Sequence, residues 1–209
     1  MAHLDPLHPD DIENYEAFAA AAIDRMGFVA NATKTMSRRP NIRNAFSRLF
    51  GEVMFQGEID SGLKFLMAQM ASTSHGCRYC QAHTSHSAHN NGIPEEKIAA
   101  LYEFETSPLF DDAERAALRL ARDAALQPNA TTPSHFEDLR THYTEEQIVE
   151  LTLRIALCGF FNRFNDALQI GMEDGVMEDM LSRGLDEEAL PDHEAAAGAV
   201  ALSCVSATT

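Results

Sequence analysis

The chain has 209 residues, 45% of them hydrophobic, enough for one large domain or two small ones with a real core. Its 16 basic and 32 acidic side chains give a formal net charge of −16, a field that repels phosphate backbones and anionic membranes and argues against nucleic-acid and membrane binding. No stretch approaches the roughly 20 apolar residues of a membrane-spanning helix, and residues 1–11 carry aspartates but no lysine, arginine or apolar run, so a cytoplasmic protein with reduced thiols is expected.

From the N-terminus the sequence predicts helix after helix, with no period-2 alternation between turn signals. Asp10 or Asp11 caps a first helix that runs to about Met26 and stops at Gly27. Gly27–Asn31 is a connector, a short helix follows to about Arg39, and Pro40 breaks it. Ile42, Ala45, Phe46, Leu49, Phe50 and Val53 recur at helical spacing in the next helix, which Gly57 ends.

Asp60 or Ser61 starts a helix to about Ser74. Its apolar stripe is Ile59, Leu63, Leu66, Met67 and Met70, while Phe65 shares the opposite flank with Glu58, Gln69 and Ser72. Gly76 breaks this run, and Cys77 opens a helix to about Asn90. Further helices are predicted from Pro94 to about Phe104, from Asp111 or Asp112 to about Leu126, and from Thr132-Pro133 to Arg140. Thr144 and Gln147 have the spacing of a capping box. From Ile148 to Leu168 the chain is apolar on nearly all sides, which predicts the central helix of the fold. The last thirty or so residues are acidic and lose periodicity. The expectation is an all-α domain of about eight helices over residues 1–180, then an acidic and small-residue tail over 181–209.

The chemistry is concentrated in residues 74–86. Cys77 and Cys80 share one face of a helix first turn, where unpaired N–H groups and the macrodipole favour a thiolate. A second thiol within reach permits a two-step cycle of attack and resolution. His83 follows Cys80 at helical spacing, and Arg78 and His75 are near in sequence; any of them could stabilise a thiolate or move a proton. Three readings stay open. One is a redox dithiol. One is a zinc site from Cys77, Cys80, His83 and His86, although a single helix cannot wrap four ligands around an ion and Cys158 and Cys204 are single. One is a pair of buried core cysteines. Haem attachment is disfavoured by Gln81, where histidine would be required.

The run Gly76-Cys77-Arg78-Tyr79-Cys80-Gln81-Ala82-His83-Thr84 resembles the signature of the AhpD-like, or carboxymuconolactone decarboxylase, family. Leu157–Asp166 is similar to that family's other typical helix, and the order of elements matches over roughly residues 20–175. The resemblance implies an all-helical homo-oligomer, a trimer or hexamer. It implies a hydroperoxide-reducing dithiol with Cys80 as the attacking and Cys77 as the resolving cysteine, His83 in a proton relay, and no cofactor or metal. A thiol protein or small thiol would restore the dithiol. Lyases of the family lack the cysteine pair, so a lyase using histidine acid–base chemistry is the alternative within the family, and a non-catalytic metal-binding or scaffold protein the alternative outside it. Two positions depart from the pattern: the usual glutamate is Phe65 here, and the usual histidine is Thr84, with His83 one residue early.

Among the other residues, His86 and His89 read as surface histidines, Cys158 as a buried inert thiol, and Met67 and Met70 as core. Arg163 and Asp166 read as a structural ion pair or a subunit contact, with binding of a substrate carboxylate as the alternative. Phe160, Phe161 and Phe164 exceed what one helix face needs and suit either a core or a subunit interface.

Overall fold

A computed structural model describes residues 2–183 and Leu190. Among them are ten α-helices, two short 3₁₀ segments (Pro9–Asp11 and Ala100–Glu103) and no strand. The helices are α1 (Tyr15–Met26), α2 (Asn31–Met36), α3 (Pro40–Phe55), α4 (Ser61–His75), α5 (Arg78–Asn90), α6 (Glu95–Ala99), α7 (Asp112–Ala124), α8 (Pro133–Leu139), α9 (Glu145–Leu168) and α10 (Asp174–Ser182). The all-α expectation holds. Two boundaries differ. Helix α1 begins after Asn14, which takes a left-handed conformation (φ 54°), because Pro9–Asp11 close a 3₁₀ turn of their own. Helix α10 falls almost wholly inside the expected 1–180 domain, after Leu168, where the sequence predicts no helix. The expected tail from 184 onward, Leu190 aside, and Cys204 with it, lies outside the described residues.

The central helix is α4, not the apolar α9. Twelve of the fifteen α4 residues are buried, whereas α9 leaves Val149, Leu153 and Phe160 exposed. Its apolar stripe packs Leu66, Met67 and Ala71 against Ala117, Leu120 and Ala121 of α7 and Leu151 and Ile155 of α9. The alanines of α7 let the backbones approach closely, so the helix pair fills its interface with short side chains. The flank with Phe65 and Ser72 is buried too, because it forms a wall of an internal cavity.

The Lys64 charge inside this core is matched. The Lys64 ammonium, on a residue only 1% exposed, lies 2.5 Å from Glu150 Oε1 and donates to the Gln56 carbonyl at 2.9 Å. Glu150 also accepts from the amides of Glu58 and Ile59, at 3.0 and 3.2 Å. One carboxylate thus fixes the loop from α3 to α4 and neutralises a buried cation. Gly57 (φ 98°) makes that approach possible, since a Cβ there would meet the Glu150 carboxylate at 2.5 Å.

The caps follow the sequence. Asp60 Oδ1 accepts from the amides of Gly62 and Leu63 at 2.9 and 3.3 Å and starts α4. Thr144 and Gln147 form the predicted reciprocal box at the start of α9. Gly76 (φ 79°) ends α4: its amide and that of Cys77 return to the carbonyls of Thr73 and Ser72. Cys77 is then the N-cap residue of α5, so one sharp turn carries the chain from the buried helix directly into the two cysteines.

Candidate active site

The cavity has a volume of about 240 Å³ and lies between α1, α2, α3, α4, α5 and α9. Its walls are mostly aromatic and aliphatic: Phe18, Phe46, Phe50, Phe65 and Phe161, with alanines and Met26. Cys80 and His83 line it; Cys77 does not. Phe65, standing where a family glutamate was expected, is 5% exposed and part of this apolar wall.

All three cysteines of the described residues are free thiols, and all are buried. Cys80 is in the first turn of α5, where the helix N-terminus favours negative charge. Its Sγ accepts a hydrogen bond from Asn165 Nδ2 of α9 at 3.2 Å. Cys77 has no exposed surface. The hydrogen bond to Cys80 pushes the Cys77 thiol well above its usual pKa, with burial, the Cys80 charge and a contact with Asp166 adding to the shift. Cys158 also lines the cavity, and burial holds its thiol protonated against the opposing influence of Arg154.

His83 is tied to a residue that sequence reasoning missed. Its Nε2 lies 2.5 Å from Glu173 Oε2, at the N-cap position of α10. The other Glu173 oxygen accepts from the Tyr79 hydroxyl at 2.9 Å and from the Asn31 amide. Tyr79, one turn before His83 on α5, stacks on the imidazole with ring centroids 4.1 Å apart, and Phe28 meets it edge-on at 5.2 Å. Burial opposes the Glu173 carboxylate, but the hydrogen bond and charge of His83, with the Asn31 and Tyr79 bonds, outweigh it and hold its pKa below the usual carboxylate range. Burial and the nearby Glu173 charge push the Tyr79 phenol well above its usual value, so it remains a donor. The only signal in the sequence was a single glutamate beside a weak Glu-Asp-Gly helix start.

The remaining candidates are placed elsewhere. His75 turns to Asp166, 3.5 Å away, and Arg78 donates to the Leu190 carbonyl at 3.1 Å. His86 is buried rather than on the surface and faces Asp179 at 3.0 Å, while His89 is half exposed beside Glu95. Arg163 does not pair with Asp166: it bonds the Gly159 carbonyl of its own helix, and Asp166 faces Cys77 and His75. Phe161 is a cavity wall, and Phe160 stacks on Phe46 with centroids 4.5 Å apart while staying 44% exposed. Cys77, Cys80, His83 and His86 do not converge on one point, and among the described residues no three His, Cys, Asp or Glu side chains are placed to hold a metal ion. No helix among the described residues is long and apolar enough to cross a membrane.

The chain is similar to known proteins in sequence and in fold. Residues 40–123 match the carboxymuconolactone decarboxylase family. YdfG of Bacillus subtilis (strain 168) is 31% identical over 115 residues, which cover 54% of this chain and 78% of YdfG. The structure of a variant of the debrominase Bmp8 in complex with 2,3,4-tribromopyrrole is similar with a TM-score of 0.80 and 32% identity, over 86% of this chain and 95% of Bmp8. An AhpD-core, peroxidase-related protein from Ralstonia eutropha JMP134 shares the fold at 18% identity, with a TM-score of 0.73 over 84% of this chain and 94% of its own. The chain belongs to the AhpD-like, carboxymuconolactone decarboxylase family.

Proposed function

We propose that this family member is a dithiol-dependent reductase of small organic electrophiles, with an organic hydroperoxide as the substrate and Cys80 as the attacking sulfur. The observation that carries this reading is the division of the pair: Cys80 lines the cavity, while Cys77 lies wholly buried and hydrogen-bonded to it. In the first step the Cys80 thiolate attacks the distal peroxide oxygen, the O–O bond breaks, and the alkoxide leaving group takes a proton to become an alcohol. The resulting sulfenic acid is attacked by Cys77, water leaves, and a Cys77–Cys80 disulfide forms. An external dithiol returns the two electrons.

His83 serves the leaving group. With Glu173 ionised and Nε2 donating to it, the ring is oriented and Nδ1 is left to carry or accept a proton. Glu173 thus fills the role of the glutamate replaced by Phe65. The apolar walls favour an organic group over hydrogen peroxide. The apolar strip of Ile42 and Leu49 on α3 with Val149, Leu153 and Phe160 on α9 is the surface through which copies of the chain associate.

A second reading is reductive dehalogenation, favoured by the likeness to the debrominase over almost its whole length. There the thiolate takes the halogen from an aryl halide, the ring carbon gains a proton, and Cys77 displaces halide to give the same disulfide. Steady-state assays with dithiothreitol separate the two: consumption of cumene hydroperoxide against bromide release from 2,3,4-tribromopyrrole. Turnover of the first that is lost in Cys80→Ser supports the main reading. Bromide release alone supports the second, and neither reaction in the folded reduced protein refutes both.

A further inference from the structure

The cavity holds an uncompensated charge. Arg154 of α9 lines it, yet the residue is only 4% exposed. Its Nε donates to the Lys64 carbonyl at 3.1 Å, and among the described residues no carboxylate lies within ion-pair distance of its guanidinium. Glu150, one turn earlier on the same helix, is taken by Lys64. The Cys158 thiol beside Arg154 is kept protonated by burial and cannot serve as counter-ion. A guanidinium cannot shed its charge, and burying it without an anion is costly. Arg43, also buried, is bonded by several neutral acceptors and lies over the Phe18 ring. Arg154 has one acceptor among the described residues, so an anion entering through the cavity offsets that cost.

A second group points the same way. Asn162, 1% exposed, also lines the cavity. Ser72 Oγ donates to its Oδ1 at 3.2 Å, which fixes the amide so that Nδ2 is the free end, and this buried Nδ2 has no hydrogen-bond partner. Two donors, one of them cationic, therefore lack an acceptor in a wall that is mostly apolar on the α1 and α3 side and carries Cys80, His83 and the unpartnered Asn165 Oδ1 on the α5 and α9 side.

We propose that the cavity is a subsite for a single-ring aromatic anion, whose carboxylate or phenolate oxygen pairs with Arg154 while the ring packs on the phenylalanines near Cys80 and Asn162 Nδ2, about 12 Å further along α9, donates to a second polar atom of the same molecule. The volume suits this size: about 240 Å³ exceeds the roughly 150 Å³ that admits an unsubstituted benzene ring. The inference rests on the proposed reductase site and names its substrate class. It excludes neutral alkyl hydroperoxides as the best substrates and requires the reducible atom to sit on a molecule that carries its own charge.

Equilibrium binding to the full-length Cys80→Ser protein tests this without any thiol chemistry. Two matched pairs are titrated by calorimetry: 4-methylbenzoate against 4-methylbenzamide, and 4-nitrophenolate against 4-nitroanisole at a pH where the phenol is ionised. The expected result is at least about tenfold tighter binding of one anion than of its neutral partner; the pair that shows it identifies the oxygen group. Arg154→Met, of similar length, is expected to erase the preference and Arg154→Lys to keep part of it. Equal binding within both pairs, no binding of either anion, or a preference that survives Arg154→Met overturns the inference. If Arg154→Met does not fold, the ratios in the parent protein still decide. Anion preference without reductase activity would sink the redox reading alone; reductase activity without anion preference would sink the subsite alone.

Discussion

His83 Nε2 lies 2.5 Å from Oε2 of Glu173, a residue 90 positions further along the chain. The contact joins the helix of the two cysteines to the start of α10 and gives the site its only carboxylate on that imidazole among the described residues. Glu173→Gln keeps the shape and removes the charge. Turnover is expected to fall by about 10²-fold, the lower range for losing an oriented proton-transfer group, and stability by about 1–3 kcal/mol, since Asn31 and Tyr79 lose a charged acceptor as well. Steady-state kinetics and thermal unfolding check the two values.

The same carboxylate makes stability depend on pH. Its folded pKa is depressed, so its stabilising share is fully present above the unfolded value of about 4.3 and is lost as pH falls through the lower folded value. Wild type is therefore expected to lose more stability than Glu173→Gln between pH 6 and the acid limb. Denaturant titrations of both proteins across that range measure the difference; parallel curves would contradict it.

Asn165 Nδ2 donates to Cys80 Sγ at 3.2 Å, and a donor of that kind favours the ionised sulfur. Asn165→Leu is expected to slow capture of Cys80 by iodoacetamide at neutral pH by about tenfold, the scale of one hydrogen bond to a charged group. Cys77, fully buried, is expected to stay unlabelled in the native protein. Peptide mapping by mass spectrometry reads both outcomes.

Glu150→Ala leaves the Lys64 ammonium buried without its partner, and about 3–5 kcal/mol of stability is expected to be lost. Lys64→Met in the same background is expected to restore much of it, because the burial penalty goes with the charge. Urea unfolding of the two variants and wild type completes the comparison.

Leu153 is 49% exposed in a strip with Val149 and Phe160 on α9 and with Ile42 and Leu49 on α3. Leu153→Glu is expected to convert an oligomer into monomers with the helical circular dichroism unchanged. Light scattering after gel filtration gives the mass; a monomeric wild type would end the interface assignment.

Much of this fold was legible because its cues are local. Asp60, Gly76, Thr144 with Gln147, and the spacing of Cys77 and Cys80 each act within one turn of chain, and each stands where its residue type predicts. The central helix was misassigned because hydrophobicity does not say what covers it. Helix α9 is apolar all round but keeps an exposed strip, while α4, with Lys64, Gln69 and Ser72, is buried by a matched charge and a cavity wall. Glu173 was illegible for a similar reason. Its role depends on the fold returning residue 173 to α5, and nothing within a few residues of it distinguishes this acid from Asp174 or Glu178. Arg154 carries no cue of its own in the sequence, because the lack of an acid near it is a property of the folded surroundings.

The dithiol cycle stands or falls on one experiment. Reduced full-length protein is mixed with one equivalent of cumene hydroperoxide, quenched with an alkylating agent, and analysed by intact mass and peptide mapping. The expected product has lost two hydrogens, carries one disulfide between Cys77 and Cys80, and does not form in Cys80→Ser. An unchanged mass, a disulfide that involves Cys158 instead, or the same oxidation in Cys80→Ser would contradict the assignment of this pair as the reacting centre.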